Sequence, residues 1–142
     1  MIFTPQGAGY AVQAVSATFD QGAGAAQAVR IGDDDSIQIN LPFAFPLFGV
    51  SYNSLFVNSD GNLTFSAPDF DDSDRDLNRL VKGPQRIAGF LDDLVPVTGG
   101  GAGLIYAEGF SDRVIFYWIG VLEYPSFATT TFEIVLAEER RH

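Results

Sequence analysis

Leu55-Phe56-Val57-Asn58-Ser59-Asp60-Gly61-Asn62-Leu63-Thr64-Phe65 sets two short runs of β-favouring residues on either side of a polar stretch containing Asp-Gly. The flanking runs favour extended backbone and Gly61 tolerates positive φ, so the segment predicts an antiparallel hairpin that turns at Asp60 and Gly61.

The chain on both sides repeats this grammar. Short alternating or wholly apolar runs recur between turn signals, and no long segment places apolar residues at i, i+3, i+4 and i+7 between caps. Strands are predicted over Tyr10–Phe19, Ala28–Ile31, Ser36–Leu41, Ser54–Asn58, Asn62–Ser66, Arg86–Leu91, Leu104–Ala107, Arg113–Val121 and Thr130–Ala137. A second hairpin joins Leu104-Ile105-Tyr106 to Val114-Ile115-Phe116-Tyr117-Trp118. In Leu41-Pro42-Phe43-Ala44-Phe45-Pro46-Leu47-Phe48-Gly49 neither proline can donate to a ladder, which predicts a bent, edge-like crossing whose Phe residues plug the core. Asp69 to Lys82 reads as a long surface loop or short helical turn, and the glycines from 99 to 103 as a second loop. No internal repeat or composition shift divides the chain, so residues 1–142 form one domain.

Composition agrees. Thirteen Phe, five Tyr and one Trp supply bulky strand formers, while fifteen Gly and seven Pro interrupt the chain too often for long helices. Phe45, Phe48, Phe56, Phe65, Phe90, Phe116 and Phe132 are expected inside, since their joint exposure would leave too large an apolar surface. The formal charge of −10 repels phosphate backbones and anionic lipid, which argues against nucleic acid and membrane partners. With no Cys, disulfides, thiolate zinc sites and cysteine nucleophiles are excluded. Neither a signal peptide nor a run of about eighteen apolar residues is present in these 142 residues.

Catalytic patterns are sparse. The lone His142 is terminal, no G-x-S-x-G elbow is present, and the glycine stretch lacks the Lys-Ser/Thr ending of a phosphate loop. Asp92 and Asp93 are adjacent acids, but neighbouring strand residues point to opposite faces, which favours a solvated or turn-capping role over glycosidase chemistry. Asp69, Asp71, Asp72, Asp74 and Asp76 gather hard oxygen ligands in one loop, a candidate for weak calcium binding with help from Asp92 or Asp93. An EF-hand is ruled out because Leu77 and Gly83 stand where that loop needs Gly and Glu. Asn62-Leu63-Thr64 fits a glycosylation sequon.

The order of these features is more specific than any one of them. The Pro/Phe-rich stretch from Leu41 to Gly49 is followed by Tyr52-Asn53-Ser54-Leu55-Phe56-Val57-Asn58-Ser59-Asp60-Gly61, then Ile87-Ala88-Gly89-Phe90-Leu91-Asp92-Asp93, Gly103-Leu104-Ile105-Tyr106 and the strand containing Trp118. From about Ile37 to Leu136 the chain resembles the nidogen-like domain. Gly89, Leu91 and Val95 depart from it, standing where the family usually has Pro, Trp and Asp, and the chain stops where the family continues into one more strand.

The resemblance implies an all-β, antiparallel β-sandwich lacking its C-terminal strand, located outside the cell or on its surface. It further implies a non-enzymatic adhesion or matrix module that binds extracellular matrix or cell-surface proteins, with no cofactor of its own. The alternative is a carbohydrate-binding module presenting Tyr106, Tyr117, Trp118 or Tyr124 to glycans.

Overall fold

The computed structural model describes residues 1–16, 18–71, 76–97 and 103–138. Its elements run β1 (Ile2–Gln6), β2 (Gly9–Gln13), β3 (Gln27–Val29), β4 (Ser36–Leu47), β5 (Val50–Asn58), β6 (Asn62–Thr64), α1 (Leu77–Val81), β7 (Arg86–Ala88), β8 (Leu94–Val95), β9 (Leu104–Gly109), β10 (Arg113–Glu123) and β11 (Thr129–Ala137). Pairing is antiparallel throughout. One sheet has the order β4-β5-β6-β7; the other has β11-β10-β9-β3, with β8 pairing the far end of β10 at Leu122 and Glu123. No helix among the described residues is long and apolar enough to cross a membrane.

The two sheets enclose one core in an all-β sandwich. Leu55, Val57, Leu63 and Phe65 from one side meet Val114, Phe116, Trp118, Ile134 and Leu136 from the other. Period-2 alternation along β10 sends Val114, Phe116 and Trp118 into that core. Ile115 and Tyr117, on the opposite face, are also buried. Part of that outer face is covered by the segment leading into β3. Phe19 lies against the Tyr117 ring at 5.7 Å, and buried Glu108 accepts the N–H groups of Ala23 and Ala25 at 2.9 and 3.1 Å. Burial and the adjacent Glu108 push the Tyr117 hydroxyl up to about 12.

The sequence reading holds for the two hairpins and the bent edge. Asn58 pairs Asn62 across a three-residue loop, Gly61 has φ 81°, and the Gly61 N–H donates to the Asn58 carbonyl. β4 is an edge strand whose register with β5 breaks between Asn40 and Phe45, where Pro42 cannot donate.

Three expectations need correction. The run Tyr10–Phe19 is not one strand: residues 9–13 pair instead with residues 2–6, and Phe19 belongs to the covering segment. The strand from Arg86 ends at Ala88, because the Gly89 and Phe90 N–H groups turn to the Gly61 carbonyl. Phe48 is 52 % exposed, since its positive φ of 48° at the β4–β5 turn carries the ring out of the core. Of the other six Phe residues in that group, Phe65 and Phe116 are fully buried and the rest are half-buried.

Gly89 has a packing reason to differ from the proline of nidogen-like domains. A Cβ there would lie 2.7 Å from the ring of Phe132, which stacks on Trp118 at 4.8 Å and 10°.

Candidate functional site

The most elaborate polar construction grows from the β5–β6 turn. Asn58, Ser59, Asp60, Gly61 and Asn62 are all buried, because residues 89–94 wrap the tip. The Asp92 N–H donates to the Asp60 carbonyl at 3.4 Å, and the Leu94 N–H donates to the Asp60 side chain at 2.9 Å. Asp76 caps α1 by accepting the Asn78 N–H, and one turn later Arg79 is buried beside the hairpin tip.

Arg79 Nη2 lies 2.9 Å from Asp60 Oδ2 and 3.2 Å from Asp69 Oδ2, and also donates to the Asp71 carbonyl. Arg86 Nη1 lies 2.7 Å from the same Asp69 oxygen and donates to Asn62 Oδ1 at 3.2 Å. Burial works against the Arg79 charge, but Asp60, Asp69 and Asp71 outweigh it and raise its pKa. For Asp60, burial dominates and pushes the carboxyl up to about 7, against the Leu94 N–H and Arg79.

Among the described residues of the acidic loop, Asp69 and Asp71 lie beside arginines. Asp69 serves two guanidinium groups, Asp71 is 3.9 Å from Arg79 Nε, and Asp76 is a helix cap. Asp72 and Asp74 lie outside the described residues. The arginine partners were visible as residues but not as neighbours, because the contacts span 8 to 24 positions.

A different set of acids converges elsewhere. One side-chain oxygen from each of Asp33, Asp34 and Asp93 lies within 4.8 Å of the others, a spacing that one divalent cation could bridge. Sixty residues separate the two contributions, so no local motif announces it. Asp92 and Asp93 are both buried, which overturns a solvated role; Asp92 Oδ1 accepts the Asp93 N–H, as turn capping requires.

The aromatics do not make a glycan platform from the four expected rings. Trp118 and Tyr117 are buried inside their sheet, Tyr106 is half-buried, and only Tyr124 stands out, at 59 % exposure. Its exposed companion is Phe127, at 96 %, on the same β10–β11 tip. The sequon fails for a similar reason: Asn62 is fully buried, and its oxygen receives Asn58 and Arg86.

Comparison with known proteins places this architecture. No curated protein and no solved structure matches the chain. The sequence profile described as NIDO related matches residues 9–140, spanning both sheets and every residue of the network above. On that match, the chain belongs to the NIDO-related family, a kinship that suggests an extracellular-type domain.

Proposed function

We propose that this chain is a non-catalytic module of an extracellular or cell-surface protein that contributes to adhesion by binding other proteins. The observation carrying this reading is the β10–β11 tip, where Phe127 is almost wholly exposed and Tyr124, on the same turn, is exposed too. Large aromatic side chains in water are the usual anchors of protein interfaces, giving much contact area for little conformational entropy. A paired hairpin presents them here, since β10 and β11 are in register from Arg113 to Trp118 and, past a shift, at Val121 and Leu122. Membership in the NIDO-related family supports the extracellular setting. The buried acids around Asp60 and Asp69 are committed to arginines and backbone N–H groups, a structural use of charge.

The test is capture of extracellular-matrix and cell-surface proteins by the wild-type chain and by a Tyr124→Ser/Phe127→Ser variant, followed by binding measurements with each purified partner. A partner whose affinity falls at least about tenfold in the variant supports the reading. Capture of glycans that survives protease treatment, or protein binding indifferent to the variant, overturns it.

A further inference from the structure

A β-sheet leaves each outermost strand with one row of unpaired N–H and C=O groups, and folded proteins guard such edges. The outermost strands here are β4 and β7 in one sheet and β11 and β3 in the other. Three of them are guarded. β3 and β7 have three residues apiece, while β4 carries Pro42 and Pro46 and breaks register between Asn40 and Phe45. β11 has none of these protections. It runs nine residues, Thr129-Thr130-Thr131-Phe132-Glu133-Ile134-Val135-Leu136-Ala137, without proline, glycine or lysine. Its one register shift places the extra residue in β10, between Trp118 and Val121, and leaves β11 uninterrupted.

The ladder fixes where the backbone groups of β11 point. The Glu138 N–H donates to the Asp112 carbonyl at 2.8 Å, one step beyond the pair Ala137 and Arg113. Bonded and non-bonded pairs alternate in an antiparallel ladder, so Leu136, Ile134 and Phe132 aim their N–H and C=O groups at β10. Thr131, Glu133, Val135 and Ala137 turn theirs outward, and among the described residues no backbone group of another segment bonds to that row. Val135 is 39 % exposed, with Thr131 and Ala137 exposed on either side, so the row is open to water. Glu133 is the only charged residue of the strand, and it does not bar the edge. Its Oε1 accepts the Asp20 N–H at 2.7 Å, which holds the carboxylate on the outer face beside Tyr117.

Backbone chemistry selects the occupant. Donors and acceptors alternating at strand spacing are met by another extended polypeptide; a helix spends its own N–H and C=O groups internally, and a lipid surface offers no such row. A second copy brings a like charge of −10 beside this one, which opposes self-pairing. The same acids favour a foreign segment bearing lysine or arginine, since Glu133 stands mid-strand, Glu138 is exposed at the strand's end, and opposite charges attract across a strand pair. We propose that the open edge of β11 is a docking site for an extended, basic segment of a different protein, which joins the sheet as an additional strand. This goes beyond the protein-binding role argued above, because it uses backbone groups of β11 and not the Tyr124 and Phe127 rings, and it stands if those rings prove inert.

The test selects binders for the intact wild-type chain from random unstructured peptides. The expected winners carry lysine or arginine within a proline-free run of alternating β-branched residues. Bound peptide should slow hydrogen exchange at the amides of Thr131, Glu133, Val135 and Ala137, read by NMR, whereas those of Ile134 and Leu136 are already slow in the free chain. N-methylating every second amide of the peptide should weaken binding at least about tenfold in one phase and less than about twofold in the other. Val135→Pro removes one outward N–H and no bond to β10, so binding should fall as far in this variant; if it does not fold, the N-methylated peptides decide alone. Winners that are acidic, that leave those amides unprotected, or that lose affinity equally in both N-methyl phases overturn the proposal. So does slow exchange of the same amides in the free chain: independent of dilution it assigns the edge to a segment of the chain itself, and rising with concentration it assigns the edge to a second copy.

Discussion

The side chain of Asp60, in the turn between β5 and β6, accepts the backbone N–H of Leu94 in β8 at 2.9 Å, so a single carboxyl group joins the two sheets. Around it, the Gly61 carbonyl takes the N–H groups of Gly89 and Phe90, and Arg79 approaches from α1. The turn works as a plug held in a socket of backbone donors.

Burial gives that plug a pH dependence. Asp60 titrates near 7 when folded, against 3.8 for an ordinary Asp, with the negative charge of Asp93 adding to burial. Because the folded-state value is raised, its contribution to stability is complete below the unfolded pKa and is lost as pH rises through about 7. Glu133, raised chiefly by burial, acts in the same sense. The denaturant midpoint of the wild type should therefore fall as pH rises from about 5 to about 8, by the equivalent of roughly 1 to 4 kcal/mol, and Asp60→Asn should remove most of that slope.

Gly61 and Gly49 provide an internal control for packing around the turn. Both have φ near 80°, but a Cβ on Gly49 meets open space whereas one on Gly61 would strike the Phe90 carbonyl. Gly49→Ala should cost roughly 1 kcal/mol of backbone strain, and Gly61→Ala at least about twice that, read as two denaturant midpoints with unchanged slope.

Removing Arg79 leaves the buried Asp60 without a guanidinium and leaves Asp69 with Arg86 alone. Arg79→Ala is expected to cost roughly 3 to 5 kcal/mol at neutral pH. The loss should shrink at lower pH, where Asp60 takes up a proton, and a double-mutant cycle with Asp60→Asn should give a non-zero coupling energy.

Asp69 lies between two guanidinium groups. Asp69→Asn should lower the melting temperature in calcium-free buffer, because it weakens contacts to both Arg79 and Arg86. A melting temperature that rises with millimolar calcium in the wild type but not in the variant would support calcium binding by this loop.

Two phenylalanines expected inside should now behave differently. Phe132→Ala empties the space between Trp118, Gly61 and Gly89 and should cost roughly 3 to 5 kcal/mol. Phe48→Ala removes a half-exposed ring and should stay within about 1 kcal/mol of wild type, both measured by chemical unfolding.

The sequence by itself determined the β-rich class, the Asp60-Gly61 hairpin, the bent edge at Pro42 and the order of motifs that marks the family. These depend on local chemistry: alternation of side chains, the positive φ that Gly61 permits, and the N–H that proline lacks. Only the tertiary structure decided that the hairpin tip is buried, that Asp69 faces Arg79 and Arg86 rather than its neighbouring acids, and that Asp33 and Asp34 meet Asp93. The physical reason is that a carboxylate's role is set by what surrounds it, and that environment comes from strands far apart in the chain. A run of acids reads the same whether water, a cation or an arginine neutralises it, until the fold places one of them beside it.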